Sequence, residues 1–268
     1  MATSFLDGVG QWLAHVLTRE SIGYRPYTPS DPATLRANLQ PGDVLLIEGN
    51  QHLSAAIKYL TQSTWSHAAF FVGDRLSAKG DQALVEVTVE HGCSAVALEK
   101  YANYNTRICR PVGLTDADRR TVIDFMVAAI GRRYDMKNIV DLARYLLPTP
   151  PVPVRWRRRL IAFGSGDPTR AICSTLIAEA FDAVRYPILP TIAPIDPNAP
   201  LVLSGYSRNE ILHIRHHSLY TPRDFDLSPY FRVVKPTIES GFDYKRLIWS
   251  NDGEPIGELE PQRPAAAP

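Results

Sequence analysis

A series of short apolar runs between Asp43 and Pro111 constrains this chain most, because none is long enough for a core helix. Asp43-Val44-Leu45-Leu46-Ile47 follows a Pro41-Gly42 turn and reads as a buried strand. Ser66 to Val72 reads as a second strand, closed by Gly73-Asp74. From Leu84 to Val89, valines at 85, 87 and 89 alternate with Glu86, Thr88 and Glu90, the period of a half-buried strand. His91-Gly92 then turns the chain into a partner strand from Cys93 to Leu98, and Arg107 to Pro111 supplies another.

Helical patterns surround these runs. Phe5, Val9, Trp12, Leu13, Val16 and Leu17 predict an amphipathic helix over 4–19, followed by a Pro-rich linker from Tyr24 to Pro32. Ser54 to Leu60 is a short helix with Ser54 as its expected N-cap. Thr115 caps a longer helix carrying Val122, Phe125, Met126, Ala129 and Ile130, ended by Gly131. A further helix is expected over Asn138–Leu147, stopped by Pro148, and the last starts near Cys173 and runs to about Val184. Pro187 to Pro200 reads as loop, Tyr220 to Val234 as a docking segment, and the tail after Gly253 as disordered. The implied class is α+β: a small, mostly antiparallel sheet packed on the Cys173 helix. The expected organisation is an N-terminal helix and linker (1–40), a main domain (41–235) with a Pro/Arg-rich insertion near 148–170, and a C-terminal extension (236–268).

Composition narrows the functional classes. A net charge of +1 over 268 residues provides no field for nucleic acid, so none is expected as a partner. Three cysteines without a C-x-x-C pair argue against a disulfide framework and against zinc. No Sec-type leader and no apolar stretch of about 20 residues is read in the sequence. The expected location is cytoplasmic, with signal-independent secretion left open.

Three residues stand out chemically. Cys173, in Ile172-Cys173-Ser174-Thr175-Leu176-Ile177, falls in the first turn of its helix. Free N–H groups and the positive end of the helix dipole there favour thiolate over thiol and offer donors to an oxyanion. The plainer reading is a small buried apolar residue. His67 opens the apolar strand Ser66-His67-Ala68-Ala69-Phe70-Phe71-Val72 and so points into the core or a cleft; alone it reads as a satisfied core histidine. Glu86 interrupts Leu84-Val85-Glu86-Val87 and is placed to orient an imidazole, against the plainer reading of a solvent-facing residue. Glu90 is the second candidate for that role.

The order of these pieces resembles a known family. Gly42-Asp43-Val44-Leu45-Leu46, then Ser66 to Gly73, Val85-Glu86, and finally Ile172 to Ile177 is similar to the circularly permuted branch of the NlpC/P60 papain-like superfamily. That branch includes YiiX-type hydrolases and, more distantly, the lecithin:retinol acyltransferase-like proteins. Gly131-Arg132-Arg133-Tyr134-Asp135 and Thr221-Pro222-Arg223-Asp224-Phe225 also resemble its segments. The resemblance spans roughly residues 40–235. It implies a papain-like fold, with Cys173 as nucleophile, His67 as base and Glu86 as orienting residue, acting without cofactor or metal. The implied substrates are small acyl, lipid or peptide molecules; the basic segment around Trp156 and the apolar loop residues tilt the expectation toward lipid-like acyl groups, with cell-wall-type peptides as the alternative. A non-catalytic binding module on the same fold and a secreted antibacterial toxin are the rivals.

Other features carry less. His213, His216 and His217 form a His-x-x-His-His cluster that lacks the further ligands a metal site needs. Arg155 to Phe163, with Trp156 among arginines, is a solvated helix face or a peripheral membrane contact. Gly164-Ser165-Gly166 is a hinge, with no flanking strand or Lys-Ser/Thr to make it a phosphate loop.

Overall fold

The computed structural model describes residues 26, 31–76, 82–88, 91–132, 172–194, 210–213, 220–239, 241–243 and 245. Outside them lie the helices expected over 4–19 and 138–147, most of the linker, the 148–170 insertion with Arg155–Phe163 and Gly164–Gly166, Glu90, Tyr134-Asp135, His216, His217 and the tail.

The short apolar runs become strands β1 (Val44–Ile47), β2 (His67–Phe71), β3 (Leu84–Thr88), β4 (Gly92–Val96) and β5 (Thr106–Pro111). With β8 (Phe231–Val234) they form one antiparallel sheet in the order β4-β3-β2-β1-β5-β8. Two strands, β6 (Thr191–Pro194) and β7 (Glu210–His213), pair separately. The helices are α1 (Pro32–Asn38), α2 (His52–Thr61), α3 (Asp116–Ala128), α4 (Ile172–Asp182), α5 (Pro222–Leu227) and α6 (Pro236–Glu239).

Period-2 alternation gives the sheet two buried faces. Val44, Leu46, Ala68, Phe70, Val85 and Val87 join Leu176, Ile177, Ala180 and Phe181 of α4, and Val122 and Met126 of α3. Leu45, Ile47, Ala69, Phe71 and Leu84 face the other way, toward Leu35 of α1 and Leu98 and Tyr101 of a 3₁₀ turn at Leu98–Tyr101. Phe181 meets Phe70 and Phe231 edge-on at 6.1 and 5.3 Å, which seats α4 on the sheet. Burying such a ring stabilises the fold by about 2–3 kcal/mol. Under β1, Asp43 is 1% exposed and accepts a forked pair of bonds from Arg110, whose Nη2 also donates to Asn38 O.

Four elements differ from the sequence expectation. α2 begins at His52, two residues before the predicted cap. Ser54 is buried instead, where a Cβ on Gly49 would come within 2.2 Å of its Oγ, so Gly49 lets α2 close onto the strand ends. α1 is a helix that starts where the expected Pro-rich linker ends, in a stretch for which no helix is expected: Asp31 caps it by accepting from Thr34 N–H, and Pro32 opens it. Thr191–Pro194 is a strand rather than loop, paired antiparallel with Glu210–His213. The docking segment is a real edge of the main sheet, with β8 pairing β5 from Ile108↔Val234 to Pro111↔Phe231.

Candidate active site

β2 begins with His67, and its ladder with β3 begins only at Ala69↔Glu86. This missing rung positions the site. Val72 N–H donates to Ala83 O across to β3, and by alternation the Ala68 N–H faces the same side. The ladder with β3 stops one rung short of Ala68, and its N–H donates to the sulfur of Cys173 instead. α4 packs on the opposite face of β2 and β3, so the gap brings a thiol from one face to an imidazole on the other. Thr221-capped α5 follows Tyr220, whose carbonyl accepts from Ser174 Oγ at 2.8 Å and fixes the first turn of α4.

His67 and Glu86 share a sheet face as diagonal cross-strand neighbours, within reach of long side chains. His67 Nε2 lies 2.9 Å from Glu86 Oε2, which leaves Nδ1 for the hydrogen bond with Cys173. Glu86 is 1% exposed and fully engaged. Oε2 also accepts from Tyr101 OH, and Oε1 accepts from Lys100 Nζ. Burial pushes the Glu86 carboxyl up, yet the bonds and charges of His67 and Lys100 win and hold it at about 2. The solvent-facing reading of Glu86 is therefore overturned: the residue points into the sheet's second core.

Cys173 is 5% exposed and the His67 side chain 20%, so the imidazole rim is the more accessible part of the pair. Burial pushes the Cys173 thiol up, but the His67 charge, its hydrogen bond, and N–H donors from Ala68 and Ser174 bring it below the ordinary thiol value. For His67, burial acts downward while the Cys173 charge and hydrogen bond, then those of Glu86, raise it to about 10. Both directions favour a thiolate–imidazolium pair. Cys93 and Cys109 move the other way: burial raises Cys93 to about 11 and pushes Cys109 higher still. Of the three thiols, Cys173 alone is shifted toward the thiolate.

The structure thus brings Cys173, His67 and Glu86 into one hydrogen-bonded line. It adds Tyr101 and Lys100, which sequence reasoning did not single out. Both come from the 3₁₀ turn between β4 and β5, where no periodicity marks them; only the return of that turn over β3 aims them at Glu86. Among the described residues, no group of His, Cys, Asp and Glu is placed to hold a metal ion, and no helix is long and apolar enough to cross a membrane.

A sheet whose second strand carries the histidine, with the cysteine helix arriving late in the chain, defines the permuted papain-like class. A family model described as "permuted papain-like amidase enzyme, YaeF/YiiX, C92 family" matches residues 38–145, which include His67, Glu86, Lys100 and Tyr101 and stop short of Cys173. The match supports a permuted papain-like family for this chain and a cysteine hydrolase of the amidase kind. Among solved structures, the metalloprotein YiiX from Escherichia coli O157:H7 is similar over 74% of this chain and 97% of its own, at 15% identity and a TM-score of 0.44. That likeness is too slight to bear on the chemistry. No curated protein matches the chain.

Proposed function

We propose that this protein hydrolyses amide bonds through a thioester on Cys173. The Cys173 thiolate attacks the carbonyl carbon, and N–H groups at the start of α4 hold the oxyanion. Imidazolium His67 gives its proton to the leaving amine, and the amine departs as the thioester forms. His67 then takes a proton from water, whose oxygen attacks the thioester and releases acid and thiolate. Glu86 keeps Nδ1 aimed at the sulfur and supports the imidazolium charge, as the third member of a triad does.

The observation that carries this reading is the hydrogen-bonded line from Cys173 through His67 to the buried Glu86, with the opposed shifts of Cys173 and His67 in accord with it. Cys173→Ala and His67→Ala should each lose at least about 10³-fold in amide hydrolysis while retaining the wild-type circular dichroism. Full activity in either variant refutes the assignment. The lipid-like alternative uses the same chemistry on acyl esters and rests on Arg155–Phe163, outside the described residues. Turnover of a long-chain acyl ester beside a peptide amide ranks the two.

A further inference from the structure

The sheet end that holds His67 also opens into a cavity of about 570 Å³, lined by Glu48, Lys58, Trp65, Arg107, Arg223 and Asp226 among others. Glu48 follows Ile47, the β1 partner of His67, and Trp65 lies two residues before the histidine. Two residues of chain place the Trp65 and His67 backbones within about 7 Å of each other. From the other side, Tyr220 is tied to Ser174, next to Cys173, and the helix after it supplies Arg223 and Asp226.

The cavity walls are fixed and rich in donors. Asp226 uses both oxygens, accepting from Trp65 Nε1 at 3.0 Å and from Arg107 Nη1 at 2.6 Å. The Arg107 guanidinium lies 4.9 Å from the centre of the Trp65 ring. Arg223 donates to Thr61 O at 2.8 Å, and Lys58 pairs with Glu48 at 3.3 Å. Each guanidinium carries five N–H donors, so both keep several for a ligand. Three cations against two carboxylates leave one positive charge in surplus, which suits a monoanion better than a phosphate dianion. A planar, stacked arginine fork matches a carboxylate in particular.

We propose that this cavity is a specificity subsite for a carboxylate carried by the substrate close to its scissile amide, gripped by Arg107 and Arg223. The proposal rests on the amide reading above and names the substrate class: acidic peptides or acylated amino acids.

The test measures binding by calorimetry to full-length Cys173→Ala protein. The three probes are an N-acetyl dipeptide with a free C-terminal carboxylate, the same dipeptide amidated, and an amidated dipeptide ending in glutamate. At least one carboxylate probe should bind tenfold or more tightly than the neutral amide, the size of one charge-assisted contact. Adding Arg107→Gln should bring that ratio close to one, with partial rescue by Arg107→Lys. Arg223→Gln, which disturbs only a backbone carbonyl, replaces Arg107→Gln if thermal melts show the latter unfolded. Equal affinity for all three probes, or a ratio that survives both arginine changes, overturns the proposal. Wild-type turnover keeps the two ideas apart. Hydrolysis with no carboxylate preference sinks the subsite alone; carboxylate-selective binding without Cys173-dependent hydrolysis sinks the amide reading alone.

Discussion

Replacing Glu86 with Gln should cost stability in a way that depends on pH. Both His67 and Tyr101 bond Oε2, and Lys100, 44% exposed, bonds Oε1. A glutamine can therefore keep its oxygen toward His67 and Tyr101 and turn its amide nitrogen toward Lys100, which swings into water. The shape survives and the charge goes. The Glu86 carboxyl falls from 4.5 to about 2 on folding, burial opposing and the His67 and Lys100 interactions prevailing. At about 1.4 kcal/mol for each tenfold change, that is worth about 3 kcal/mol. Because the folded value is the lower one, this contribution is present above about pH 4.5 and disappears as pH falls toward about 2. Urea unfolding of wild type and Glu86→Gln at pH 7 should differ by about 3 kcal/mol, and the gap should shrink steadily between pH 4.5 and 2. A gap of the same size at every pH would mean that packing, not charge, holds Glu86, and would refute the reasoning. Amide hydrolysis should also fall by about 10²-fold, since the tautomer is kept but the support for imidazolium is lost.

Other perturbations follow from the same geometry. Iodoacetamide at pH 6–7 should label Cys173 and spare Cys93 and Cys109, whose thiols are pushed up by burial; peptide mapping by mass spectrometry reads the result. The pH–rate profile should lose activity on its alkaline side near pH 10, where His67 gives up its proton, and on its acid side where the thiolate is protonated. Tyr101→Phe removes one donor from the Glu86 carboxylate and should lower stability at pH 7 by about 1–3 kcal/mol, with less loss below pH 3, in denaturant titrations. Arg110→Ala leaves Asp43 buried without its partner and should cost about 3–5 kcal/mol in the same assay.

The sheet was legible because its strands are local, short and bounded by Gly and Asp, and because alternation marks which residues face inward. Cys173 and His67 were legible because each opens an apolar run, one helical and one extended. The Glu86 role was only half legible. Alternation puts Glu86 opposite the valines, and the sequence does not say that the opposite face is also covered, here by Leu35, Leu98 and Tyr101. Lys100 and Tyr101 sit on a 3₁₀ turn whose path is set by tertiary packing, so no pattern announces them. The β8 strand hides for a similar reason: Phe231-Arg232-Val233-Val234 is four residues long and becomes a strand by pairing with β5, more than a hundred residues earlier. The early start of α2 depends on Gly49 admitting Ser54, a contact between neighbours that no helix rule anticipates.

Intact-mass and peptide-map analysis of protein quenched during turnover of an activated acyl amide probes the central claim most directly. The account predicts an acyl adduct on Cys173, formed at a rate that collapses in His67→Ala. An adduct on any other residue, or turnover that persists when the sulfur at 173 is removed, contradicts it.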